Sequence, residues 1–248
     1  RPPGVANKRL TASLGDGMQR RGFLAALGAG AVVGLTARPS IATVALEDVA
    51  RPARSFPELY GTRAYFIGDT VEKLPRARAA TLPLDEATAK RFARSVHNVI
   101  PASTAGGSHW SLILDSTASL EPMRRMQLVN DFANRMPYVE DIDNYGLRDF
   151  WAKTDTFFEI GGDCEDFALA KYKLLNRIGF HADRMRVVLL VDTERNRQHA
   201  VLAVNTGNRA WILDSLNSEI VPHETLTRYR PTVSLSGPRL YLHVAPKA

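Results

Sequence analysis

At 248 residues with 45% apolar content, the chain is long enough to bury a sizeable core as one enzyme-sized unit. Its formal net charge of +6 is misleading: the first 45 residues hold six Lys/Arg and one Asp, and without them 26 cations face 25 anions, a net +1. That balance argues against nucleic acid as the partner, which needs clustered Lys and Arg, and one cysteine among six scattered histidines excludes an internal disulfide and gives no zinc-ligand spacing.

From the N-terminus, residues 1–45 read as an extension that ends in a twin-arginine export signal. Gln19-Arg20-Arg21-Gly22-Phe23-Leu24 leads into an apolar run over 23–37, and Ala42 and Ala45 each close a small-x-small cleavage pattern. Gln19 and Ala25 depart from the commonest form of such a signal. The run is shorter than the ~20 apolar residues of a membrane span, so the processed chain is expected in the periplasm and not as an integral membrane protein.

Residues 46–248 read as a single domain. A Pro- and Arg-containing lead-in to about residue 83 is expected to wrap it. Leu84-Asp85-Glu86 opens a helix to about Asn98; after the loop 101–107, taken to flank a cleft, a second helix spans 121–135 and stops at Pro137. A third begins at Cys164, with Phe167, Ala170, Leu174 and Ile178 on the same face at spacings of three and four. Arg124, Arg125, Lys171 and Lys173 are expected on solvated helix faces. Strands at 185–192, 199–205, 209–214 and 239–244 complete an α+β fold in which the Cys164 helix packs on an antiparallel sheet.

Cys164 stands in Gly161-Gly162-Asp163-Cys164-Glu165-Asp166, where a glycine turn runs into that helix. A lone thiol is by default a small buried hydrophobe, but amide groups at a helix start lower a thiol's pKa and favour the nucleophilic thiolate. Downstream, apolar runs flank Thr206-Gly207-Asn208 as in a β-hairpin. A turn near Gly207 brings His199 almost opposite Asp214, although a slip of one residue turns the two to opposite faces. Cys164, His199 and Asp214 then supply nucleophile, base and orienting acid for acyl chemistry, with the Cys164 amide as an oxyanion donor. The remaining histidines lack a carboxylate set opposite them by a turn and are expected on the surface or in the core.

Asp163, Glu165 and Asp166 all disfavour a neighbouring thiolate. Either they cap the helix and suit its dipole, or they gather a hard cation that cancels the repulsion. Nearby, Asp141-Ile142-Asp143-Asn144-Tyr145-Gly146 resembles an EF-hand loop but has Tyr145 and Ala152 at the fifth and twelfth positions, so it reads as a turn with Asp141 or Asp143 at most lending an oxygen.

Residues 162–172, then Gln198-His199 and Leu213-Asp214, together with Gln127-Leu128-Val129-Asn130, Asp143-Asn144-Tyr145-Gly146 and Asp149-Phe150-Trp151-Ala152, resemble the bacterial transglutaminase-like cysteine peptidases. The resemblance implies a papain/transglutaminase-like fold and assigns Cys164 as nucleophile, His199 as general base and acid, and Asp214 as orienting carboxylate. It also implies calcium at Asp163 and Glu165, with Asp166 as a further ligand. The best-known members of the family are periplasmic proteases that clip the N-terminal region of large repeat adhesins and so release biofilm cells, under an inner-membrane receptor that senses cyclic di-GMP. Two other classes stay open: a transglutaminase- or amidase-type acyl transferase with the same triad, and a non-catalytic calcium-dependent binding module.

Overall fold

The computed structural model describes residues 55–99, 110–207 and 209–246. The export signal and the loop 101–107 lie outside the described residues. In chain order the elements are β1 (Arg63–Asp69), α1 (Thr70–Lys73), a 3-10 turn (Pro75–Thr81), α2 (Glu86–Val96), α3 (Trp110–Thr117), α4 (Pro122–Ala133), α5 (Asp141–Tyr145), α6 (Thr154–Ile160), α7 (Cys164–Arg177), β2 (Met185–Asp192), β3 (Arg197–Asn205), β4 (Ala210–Leu213), β5 (Val221–Pro222), β6 (Tyr229–Ser236) and β7 (Arg239–Val244). The strands form one antiparallel sheet in the order β1-β7-β6-β2-β3-β4-β5. No described helix is long and apolar enough to cross a membrane.

Helix α2 shows how locally the helices are encoded. Asp85 accepts the Thr88 amide at 2.7 Å as N-cap, a contact that stabilises a helix by about 1 kcal/mol. Ala89, Phe92, Ala93 and Val96 then form a buried stripe at helical spacing.

The helices cover one face of the sheet. Strand alternation splits β3 between two cores: Ala200, Leu202 and Val204 join the helices, whereas Val201 and Ala203 join Leu59, Val188, Leu190, Ile212 and Tyr229 on the other face. Phe56, Leu59 and Tyr60 of the lead-in cover that second face, and the lead-in then continues into β1 at the sheet's edge. Because both faces are covered, β3 reads as a nearly continuous apolar run.

Helix α7 is buried nearly all round, from Asp166 to Leu175. This corrects the expectation of solvated lysines. Lys171 is fully buried and Lys173 nearly so, and loss of water pulls their pKa values down to about 7 and about 8. Arg125 is likewise buried; it donates to Ile178 O at 3.1 Å and lies over the Phe180 ring. Of the four expected surface cations only Arg124 is exposed.

Candidate active site

The start of α7 is pinned from the side. Val139 donates its amide to Gly162 O at 3.0 Å, and Tyr138 bridges Gly162 and stacks on Phe167. Asp163 occupies the N-cap position but makes no side-chain cap hydrogen bond, so the helix-capping reading fails for that residue. Cys164 is 8% exposed, and its Sγ–H donates to Glu165 Oε2 at 3.1 Å. Burial, followed by the charges of Glu165 and Asp163, pushes the thiol pKa well up, while the Ala200 amide on β3 pulls it back.

Ala200 is the neighbour of His199. His199 Nε2 meets Asp214 Oδ1 at 2.8 Å, with both side chains 4% exposed. The pair forms because β4 aligns Leu213 with Leu202 and Ala210 with Asn205. Extending that register sets Asp214 across from Val201, two residues from His199 and therefore diagonal to it on one face. A turn centred on Gly207 would have aligned His199 with Ser215 and reversed Asp214; the four-residue connection 206–209 shifts the pairing by one and restores the shared face.

Asp214 is held on every side. Its Oδ1 also accepts the Leu216 amide at 3.0 Å, its Oδ2 accepts Tyr229 Oη–H at 2.6 Å, and its carbonyl accepts from Asn134 Nδ2 at 3.0 Å. Burial pushes its pKa up, but the His199 bond and charge, with the Leu216 amide and the Tyr229 hydroxyl, bring it below the usual carboxylate range. Tyr229 was not legible in the sequence; it opens β6, a strand whose pattern is broken by Pro231 at a bulge opposite Leu189 and Leu190. Among the described residues no hydrogen bond joins the thiol to the imidazole. Nε2 is bonded to Asp214, and by strand alternation His199 shares its face with Val201, whereas Ala200, whose amide contacts the thiol, packs toward the helices.

A second cluster lies beside Cys164. Single oxygens of Asp141, Asp163 and Asp166 lie within 4.8 Å of one another, and all three residues are buried. Asp141 Oδ1, Asp163 Oδ1 and Asp166 Oδ2 have no hydrogen-bond partner. The other oxygens of Asp141 and Asp166 accept the amides of Phe150 and Ala152. Burial, reinforced chiefly by the charge of Glu165, raises the pKa of all three, that of Asp166 to about 7. Three orphaned buried carboxylate oxygens are costly without a counter-cation, and an all-oxygen set matches a hard divalent ion. The residues therefore fit calcium. The structure groups Asp163 and Asp166 with Asp141, and Glu165, whose carboxylate accepts from the thiol, forms a second group with Asp163 and Cys164 within the same 4.8 Å.

A cysteine that opens a buried helix, packed on an antiparallel sheet carrying a bonded imidazole and carboxylate, is the architecture of the transglutaminase-like thiol hydrolases. A family model described as bacterial transglutaminase-like cysteine proteinase matches residues 109–238, just over half of the chain. The chain belongs to this family and is a cysteine peptidase. Among solved structures it is similar to Legionella pneumophila LapG, at 26% identity and a TM-score of 0.49, over 65% of this chain and 90% of that one. An EGTA-treated form of LapG gives 26% and 0.49 over 65% and 87%, and a calcium-bound form 26% and 0.48 over 60% and 87%. No curated protein matches the chain.

Proposed function

We propose that residues 46–248 form a periplasmic, calcium-dependent endopeptidase domain that cleaves a protein substrate with Cys164, His199 and Asp214. The observation that carries this reading is the buried 2.8 Å bond between His199 and Asp214, one residue from the amide that contacts the Cys164 thiol. His199 Nδ1 takes the thiol proton, while the Nε2–H bond to Asp214 stabilises the imidazolium that forms. The thiol exchanges Glu165 for the imidazole at this step. The sulfur attacks the substrate carbonyl, the Cys164 amide stabilises the oxyanion, and His199 returns its proton to the departing amine. Water, deprotonated by His199, then cleaves the thioester.

Asp141, Asp163 and Asp166 would hold the calcium ion, with Glu165 as the fourth carboxylate beside them. When bound, the ion offsets the negative charge around the thiol and fixes the loop that carries it. The family resemblance supports the finer reading: export through the segment within residues 1–45, the N-terminal region of a large surface adhesin as substrate, release of biofilm cells as the outcome, and a cyclic di-GMP-sensing inner-membrane receptor as regulator.

The test is incubation of the exported form with the N-terminal region of a repeat adhesin from the same organism, with calcium or chelator, beside Cys164→Ala. Discrete fragments that require both calcium and Cys164 are expected. An isopeptide product without cleavage would move the protein to the acyl transferases, and unchanged biological effect in Cys164→Ala would make it a binding module.

A further inference from the structure

The segment that gives its amides to the acidic trio also lines a cavity. The Phe150 and Ala152 N–H groups are bound to Asp141 and Asp166, while the side chains of Asp149, Phe150, Trp151 and Lys153 face a cavity of about 530 Å³. The opposite wall is the 3-10 turn Pro75–Thr81 with Leu82. A cavity of this size is in the range that takes a specific ligand. None of Cys164, His199 and Asp214 lines it.

Its chemistry is two-sided. Phe150, Trp151, Leu82 and Ala79 supply apolar surface, and Arg76, Arg78 and Lys153 bring positive charge. Arg76 is neutralised by Asp149 at 3.0 Å, an ion pair that joins the two walls. Among the described residues Arg78 and Lys153 have no ion-pair partner, so the lining keeps two uncompensated cations beside an apolar floor. An occupant must therefore combine negative charge with a bulky apolar group.

We infer that this cavity is an exosite for an acidic stretch of the protein substrate carrying a large apolar side chain, and that it is linked to the cation site through residues 149–153. The assignment of that stretch to the substrate rests on the peptidase reading; the binding itself does not. The linkage follows from the shared wall. Each of Asp141 and Asp166 spends one oxygen on an amide of this segment and leaves the other for a cation. A cation that fixes the two carboxylates also fixes the wall, and by reciprocity a peptide on the wall tightens the cation. Calcium thereby acts at substrate recognition as well as at the thiol.

The experiment uses the full chain carrying Cys164→Ala, which prevents turnover, and the fluorescein-labelled probe peptide acetyl-Asp-Glu-Phe-Asp-Glu, read by anisotropy with unlabelled peptide as competitor. Saturable, competable binding is expected. It should weaken about tenfold or more when the acids of the peptide become Lys, when its Phe becomes Ser, or when Arg78→Glu and Lys153→Glu are combined. Both side chains are exposed, and the milder pair Arg78→Gln with Lys153→Gln, checked by circular dichroism, should weaken binding in the same direction. Affinity should also fall in chelator and in Asp141→Asn. No saturable binding, or binding indifferent to all these charges, overturns the exosite; binding that responds to charge but not to calcium overturns the linkage. Peptide binding by a protein that cleaves nothing would remove only the assignment to a substrate.

Discussion

The phenol of Tyr229 donates to Asp214 Oδ2 at 2.6 Å, opposite the edge that meets His199. Tyr229 in turn accepts from Arg228, which is paired with Asp192 at 3.2 Å. A chain of three polar contacts thus fixes the carboxylate that orients the imidazole. Tyr229→Phe should lower kcat by about tenfold with little change in KM, because the loss falls on the orientation of His199. It should also cost about 1–3 kcal/mol of stability, the penalty of a buried oxygen left without its donor. Steady-state kinetics beside denaturant melts separate the two effects; unchanged kcat in a destabilised variant would make Tyr229 purely structural.

The cation site makes a prediction that needs no activity assay. Calcium should raise the melting temperature of the protein, by an amount equivalent to about 2.7 kcal/mol when the ion is at a hundred times its dissociation constant. Asp141→Asn should remove most of that response. Asp143→Asn should leave it intact, since Asp143 is exposed and lies outside the trio.

Gly162 offers an independent probe of the same site. A Cβ there would lie 2.3 Å from Asp166 Oδ2 and 2.9 Å from Asp166 Cβ. The second contact rules out relief by swinging the carboxylate alone, so the start of α7 must shift. Gly162→Ala should cost about 1–3 kcal/mol and blunt the calcium response in the same thermal melts.

The sequence was most informative where one short-range rule sufficed. Asp85 and the Ala89, Phe92, Val96 spacing mark α2, the glycine turn marks the start of α7, and the β2 and β7 bounds match their apolar runs. The His199 and Asp214 pairing was legible as a neighbourhood, but its register depended on a connection one residue longer than a three-residue turn centred on Gly207. β6 was hidden by Pro231, and β1 by exposure of nearly every side chain, which erases the alternation. The burial of Lys171, Lys173 and Arg125 could not be read from helical periodicity, because it comes from packing around a buried helix. Asp141 joins the acids at Asp163 through the strap at 137–139, a contact distant in sequence.

His243 links the fold to pH. Thr62 Oγ1 gives its proton to Leu59 O, so it accepts from His243 Nδ1–H at 2.9 Å, and Nε2 accepts from Ser234 at 2.8 Å. This arrangement holds the ring neutral, and burial, with the nearby Arg186 charge, pulls its pKa down to about 4. A depressed pKa contributes stability in full above the unfolded value of about 6.5, and that stability is lost as pH falls toward the folded value. The loss reaches about 3 kcal/mol at 1.36 kcal/mol per unit. Urea melts between pH 7 and pH 4 should show this decline, and His243→Gln should flatten it.

In the proposed mechanism Cys164 is a nucleophile activated by His199 beside a bound cation. The most direct test is the alkylation rate of Cys164 across pH in calcium and in chelator, with His199→Ala as comparison. Fast alkylation is expected that persists well below the free-cysteine pKa of about 8.5, is lost in His199→Ala and is weakened by chelation. Slow alkylation, indifferent to His199 and to calcium, would show a structural thiol and contradict the mechanism.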